Sequence, residues 1–403
     1  MGTGHTHRAD SHGDGFEVAR TPRLVLLTSL ILAAVVSVIG VLALWPSSAD
    51  VDDVVEAVEF AAPGVTFPTA VVDSVQPSCP RAENGGVTSG ESCGNIEATV
   101  SNGAGKGESV TVPVAPQVTD SGLVPGDDVR LQRTPAAEGA DASYGYFGTE
   151  RPTPLLVMTL VFALLVVVVA RWRGLLALVG LAFSGLLIWE FMLPALLTGE
   201  SGLLVGLSGS ATIMFVVLYL THGVSMRTSA ALAGTLAGVL VTAGIGVVAV
   251  SATRLTGIAD ESAGLLSSYV GDLSFQSLMA CATIVAGLGV LNDVTITQSS
   301  SVWEIRAASP TMSRGQVFAS GMRIGRDHIA SIIYTIVFAY AGTALAVLLI
   351  LQLYGLPVSV LLTTEEIGEE IVRTLASGIG LVLAVPLTTA IAAMTVPREQ
   401  PAG

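Results

Sequence analysis

Residues 274–305 read SFQSLMACATIVAGLGVLNDVTITQSSSVWEI, an apolar run that ends in polar and acidic side chains. The first part has the length and composition to cross the hydrocarbon core of a bilayer. Asn292, Asp293 and a string of hydroxyls then follow before Glu304. If the helix continues, Asp293, Thr297, Ser300 and Glu304 share one face, widened by Asn292, Thr295, Gln298 and Ser301. An ionised carboxylate at bilayer depth costs about 2.5–3.5 kcal/mol on insertion scales. The stripe therefore needs a partner, water or a proton. It reads as a polar pathway or ion site, as a helix exit at headgroup level, or as a hydrogen bond between helices.

The rest of the chain has the same character. Of its 403 residues, 51% are hydrophobic and only 12% are charged, against about 25% charged in soluble domains. The mean hydropathy is +0.70. The fold class predicted is mainly α, a polytopic membrane protein of about eight transmembrane helices. A first span, Leu24–Trp45, is too long for a signal-peptide core and reads as an uncleaved anchor, with Ser47-Ser48-Ala49 the alternative cleavage site. Seven more follow at 154–170, 174–197, 202–221, 228–252, 274–297, 329–353 and 374–394.

Short-loop arginines set the orientation. Arg8, Arg20, Arg23, Arg171, Arg173, Arg227, Arg306, Arg314, Arg323, Arg326 and Arg398 fall on one side, and Arg151, Arg254, Arg373 and the few basic residues of 50–150 on the other. Both termini are read as cytoplasmic, in a bacterial plasma membrane. The organisation expected is a disordered tail at 1–23, the anchor at 24–45, an exported β domain at 50–150, and a seven-helix membrane domain at 154–394. A cytoplasmic loop at 298–328, with a short amphipathic helix starting at Pro310, and a tail at 395–403 complete it.

Residues 50–150 alternate with period two in TAVVDSV, IEATVS, ESVTVPV and DVRLQ, separated by turn pairs such as Asn102-Gly103. This predicts a small β barrel of the OB kind. The segment supplies most of the net charge of −14, which disfavours nucleic acid and anionic headgroups as partners. Cys79 and Cys93 flank a Gly-rich loop there and predict a disulfide; no further thiolates or histidines stand close enough in sequence for a metal site. His5, His7, His12, Asp10 and Asp14 offer at most loose metal ligation without fixed geometry. SNGAGKGES lacks phosphate-loop spacing, and GLSGS (206–210) lies inside an apolar span rather than at a nucleophile elbow. No cofactor and no enzymatic activity is expected.

Other polar groups interrupt the spans. Glu190, in LLIWEFMLPALL, stands well inside one, with Pro194 freeing its carbonyl and kinking the helix. It reads as an ion- or proton-handling acid or as a partnered structural one. SGMRIGRDHIAS (320–331) brings Arg323, Arg326, Asp327 and His328 to a span entry, as a charged gate closing on Asp293 or Glu304, or as a positive-inside anchor. Gly234 with Gly238, and Ala282 with Ala286, have the spacing of packing faces.

Arg151 to Met394 resembles the YibE/F family of bacterial membrane proteins. The resemblance is carried by GLGVLNDVTITQSSSVWEI, SGMRIGRDHIAS and AYAGTAL (339–345). The family pattern of an Asp, small polar residues and a later Glu maps to Asp293, Thr297 to Ser301, and Glu304. Its second block maps to Ser320–Asp327. Asn292 stands where other members often have Met. The resemblance implies a multi-pass membrane protein and no assigned activity.

The function expected is a transporter or permease-like component for a small solute or ion. The alternative is a non-transporting envelope scaffold or receptor whose β domain binds a partner. The lipid bilayer is the partner in either case, with a homo-oligomer or an envelope protein as a further one.

Overall fold

A computed structural model describes residues 20–56, 62–79, 93–135, 141–271 and 273–397. The histidine-rich tail, the loop between the two cysteines and most of the C-terminal tail lie outside the described residues. The chain is mainly helical and divides into two compact units, Val55–Leu165 and the combination of Met1–Val54 with Val166–Gly403.

The smaller unit holds the sheet. Strands β1 (Thr69–Val75), β2 (Asn95–Val100), β3 (Ser109–Pro113), β4 (Asp128–Thr134) and β5 (Ser143–Thr149) pair antiparallel in the order β3-β2-β1-β4-β5. The sheet curls until β3 lies beside β5. Alternate residues Ala70, Val72, Ile96, Ala98, Val112, Val129 and Leu131 turn inward and form its core. At the closing edge, the Tyr144 hydroxyl donates to Glu108 at 2.6 Å and accepts from Arg133 Nε at 3.0 Å. Burial, then the hydrogen bond to Glu108, raises the Tyr144 pKa above the usual phenol value.

Cys79 and Cys93 are joined, their Cα atoms 4.9 Å apart. The bridge closes a loop of 14 residues, which by loop entropy contributes about 3 kcal/mol. The double substitution Cys79→Ser/Cys93→Ser is expected to lower the stability of this unit by that amount in denaturant unfolding. Unchanged stability would contradict it.

The larger unit begins with α1 (Arg20–Ala43). Next comes α2 (Ser48–Glu56), a helix that overlaps the start of the segment expected as the β domain at 50–150. Ser47 Oγ accepts from Asp50 N at 3.1 Å and caps it, and Val54 packs with Val270, Leu273 and Phe275. The short α3 (Pro116–Thr119) belongs to the sheet unit, and α4 (Pro152–Leu187) leaves it. Then come a π turn (Ile188–Met192), α5 (Leu193–Leu197), α6 (Gly202–His222), α7 (Met226–Thr253) and α8 (Glu261–Tyr269). The chain continues through α9 (Phe275–Ala308), α10 (Arg314–Thr343), α11 (Leu345–Tyr354), α12 (Val358–Leu361) and α13 (Glu365–Thr395).

Among the described residues six helices are long and apolar enough to cross a membrane, or seven if α10 and α11 form one bent span. The expected count of eight divides the chain differently. Residues Pro152–Leu197 run as one apolar stretch, broken at Arg171, where φ is 54° and ψ −135°, a region rarely occupied by non-glycine residues. The expected span 329–353 is bent by 66° between α10 and α11.

The expected loop at 298–328 is a helical hairpin. α9 runs to Ala308 and α10 begins at Arg314, so Ser309 ends a helix rather than starting one. Ser313 and Gln316 form the capping box that starts α10. Arg306 fastens the turn by donating from Nη1 to Pro310 O and Met312 O, both at 2.7 Å.

Candidate functional site: a polar seam in the helix bundle

Helices α7, α9 and α13 pack closely together, with α6 and α10 outside them. Small residues permit the approach. A Cβ on Gly238 would lie 2.8 Å from Leu291 and 3.0 Å from Ala384, and one on Gly234 would overlap Thr388. Gly234 and Gly238 are thus the packing face expected, whereas Ala286 is exposed and Gly287 is buried in its place.

The two sequence blocks meet through Gln298. Its Nε2 donates to Gly321 O on α10 and to Thr389 Oγ1 on α13, each at 2.8 Å. Gly321 and Gly325, the glycines of SGMRIGRD, leave the room it occupies: a Cβ on Gly325 would lie 3.2 Å from the Gln298 carboxamide and 2.6 Å from Val385. Beside it Thr295 and Thr235 share a hydrogen bond of 2.6 Å, and Ser299 Oγ donates to Arg227 O at 2.8 Å. In the second half of α9 the buried polar residues are therefore Thr295, Gln298, Ser299 and Arg306.

Asp293 and Glu304 lie on the exposed side of α9, with Thr297 and Ser300 half-buried between them. Arg323, Arg326 and Asp327 are exposed on α10, and His328 is half-buried. Among the described residues no ion pair joins either arginine to Asp293 or Glu304; Arg323 instead donates to Ser320 Oγ at 2.9 Å. Asn292 is half-buried, its Oδ1 without a partner. The expected closure of SGMRIGRDH over the Asp293 face is corrected accordingly. The motif's glycines, rather than its charges, face α9, because glycines at i and i+4 are what let the backbones approach.

Glu190 is also exposed, within the π turn. Pro194 offers no N–H, and Leu193 N reaches back to Ile188 O, the wider π pattern. The kink expected there is a π turn that buries Phe191 and Met192 and leaves Glu190 outside.

The more distinctive polar groups lie on α13. Glu369, Arg373, Ser377, Gly380, Ala384 and Thr388 recur at steps of three and four along one helix face. Glu369 is only 7% exposed and Ser377 only 4%. Arg373 reaches Glu370 at 2.9 Å and Glu369 at 3.7 Å. Further along, Thr242 of α7 fills the space opposite Gly380, and both Ser377 Oγ and the Thr242 side chain border Gly287 of α9. Glu369 Oε1, Thr242 Oγ1 and Thr388 Oγ1 are buried without a hydrogen-bond partner, and Ser377 Oγ interacts with the Tyr340 hydroxyl. Each such atom costs about 1–3 kcal/mol, and a line of them within an apolar bundle calls for a functional explanation. Starting the last span at 374 leaves Glu369 and Arg373 in a loop. The recurrence E-x-x-x-R-x-x-x-S from 369 is the signal that joins them to it.

A model of the YibE/F-like protein family matches residues 158–398. The chain belongs to the YibE/F family. No curated relative and no solved structure matches it. The matched span contains all of α5 to α13, so the whole seam lies in the family's region.

Proposed function

We propose that this YibE/F protein is an integral protein of the bacterial plasma membrane that moves a small solute or ion through the α7–α9–α13 bundle. The observation that supports it is the seam of Glu369, Arg373, Ser377, Thr242 and Thr388, which places polar side chains along one face inside an apolar bundle and leaves Glu369 Oε1, Thr242 Oγ1 and Thr388 Oγ1 without hydrogen-bond partners. Intramembrane polar groups facing a bundle interior mark solute and ion pathways. The arginine distribution favours cytoplasmic termini with residues 50–150 outside. That orientation puts Glu369 at the outer end of the seam and Thr388 toward the inner end. The test is whether a charged, water-borne thiol reagent reaches a cysteine placed at Ser377.

A second reading rests on the sheet unit. Its strand order, the approach of β3 to β5 and the α3 turn before β4 fit an OB-like barrel. A groove of about 570 Å³ lined by Glu108, Arg133, Asp141 and Tyr144 favours binding of a polar envelope partner. In that reading the membrane helices anchor a receptor.

A further inference from the structure

The transport reading leaves open what moves, and the outer end of the seam bears on that. We propose that Glu369 is a proton-exchange site, which makes the proton a transported or coupling ion; this rests on the transport reading. Glu369 and Glu370 share the single guanidinium of Arg373, and Glu370 holds it more closely, at 2.9 Å against 3.7 Å. The trio carries one negative charge too many, and Glu369, 7% exposed, is the member left without a close partner. Buried charge of this kind is retained only when paired or neutralised.

Among the described residues no second cation acts on Glu369. The groups that act on Glu369 besides Arg373 are Glu365, Asp260 and Glu366, all acids. From α10, Tyr340 faces Arg373 and Glu370. Glu365 is occupied elsewhere, accepting from Thr256 Oγ1 at 2.9 Å and Gly257 N at 3.2 Å. Among the described residues no three His, Cys, Asp or Glu side chains converge as metal ligands. One proton on the partnerless Oε1 of Glu369 neutralises the trio; Glu370 Oε1 is partnerless too, but its other oxygen holds Arg373 at 2.9 Å and keeps Glu370 the ionised member.

A second observation points the same way. Two turns from Glu369 on the same face of α13, Ser377 interacts with the Tyr340 hydroxyl, and with Tyr340 and Thr335 it lines a mostly apolar cavity of about 260 Å³. Those hydroxyls continue the polar face of α13 beyond Arg373.

Infrared spectroscopy of the full-length protein in lipid nanodiscs, titrated with pH, tests the assignment. A protonated-carboxyl band that follows bulk pH should be present in wild type and lost in Glu369→Gln. It should persist in Glu366→Gln, which alters an exposed acid on the same turn. If Glu369→Gln does not fold, Glu369→Asp should retain the band at a shifted frequency. A titrating band unchanged in both Glu369 variants, or one displaced by sodium at constant pH, overturns the proposal. The two readings fail separately: a titrating Glu369 beside a Ser377→Cys that no aqueous reagent reaches removes the pathway and keeps the proton site.

Discussion

Arg373→Ala is expected to destabilise the detergent-solubilised protein by about 3 kcal/mol. Arg373 holds Glu370 at 2.9 Å and Glu369 at 3.7 Å, and its own side chain is 26% exposed. Its removal leaves two carboxylates on adjacent residues of a mostly buried turn. Breaking one side of a buried pair costs about 3–5 kcal/mol, and the partial exposure of Arg373 places this case at the low end. Adding Glu369→Gln and Glu370→Gln to Arg373→Ala should restore most of the loss, because no uncompensated charge then remains. Unfolding followed by intrinsic fluorescence reads both steps. A mild Arg373→Ala, or a triple variant no better than the single, would show that the three side chains do not form one electrostatic unit.

Gly325→Leu is expected to have an effect of similar size for a steric reason. The first carbon added would lie 2.6 Å from Val385 Cγ1 and 3.2 Å from Gln298. Overpacking of a tight core costs about 1–3 kcal/mol, and this change also displaces the amide that joins α9 to α10 and α13. Gly342→Leu on the same helix meets nothing within 4 Å of its Cβ and should be nearly silent. Val385→Ala should partly rescue Gly325→Leu. Equal tolerance of both leucines would mean that the glycines of SGMRIGRD are not contact points.

Much of this architecture was legible in the sequence, and the misses have identifiable causes. Four strands were readable because Thr69–Val75, Asn95–Val100, Ser109–Pro113 and Asp128–Thr134 alternate cleanly. Strand β5, SYGYFGT, was not singled out because Gly145 and Gly148 interrupt that alternation. The shared face of Asp293, Thr297, Ser300 and Glu304 requires the helix to continue past the apolar run, as α9 does to Ala308 in place of the loop expected from 298, but the spacing does not give its orientation. Spacing defines a helix face without saying which neighbour covers it, and both the Asp293 face and the Gln298 face are polar. The covering partner was written in Gly321 and Gly325, small residues that draw less notice than the arginines between them. Glu369 was missed because hydropathy counts a charged turn as loop even where the helix passes through it.

The central claim is that the seam along α13 is a route for water-borne solutes or ions rather than a dry packing surface. Ser377→Cys in a Cys281→Ser background, with Cys79–Cys93 left oxidised, tests it most directly in native membranes. Native Cys281, 3% exposed and packed in the bundle's apolar core, is the dry reference. A small, charged, membrane-impermeant methanethiosulfonate should modify Ser377→Cys while leaving native Cys281 in the wild-type protein untouched. Protection of Ser377→Cys to the same degree as Cys281, with full labelling of both after unfolding in detergent, would contradict the account.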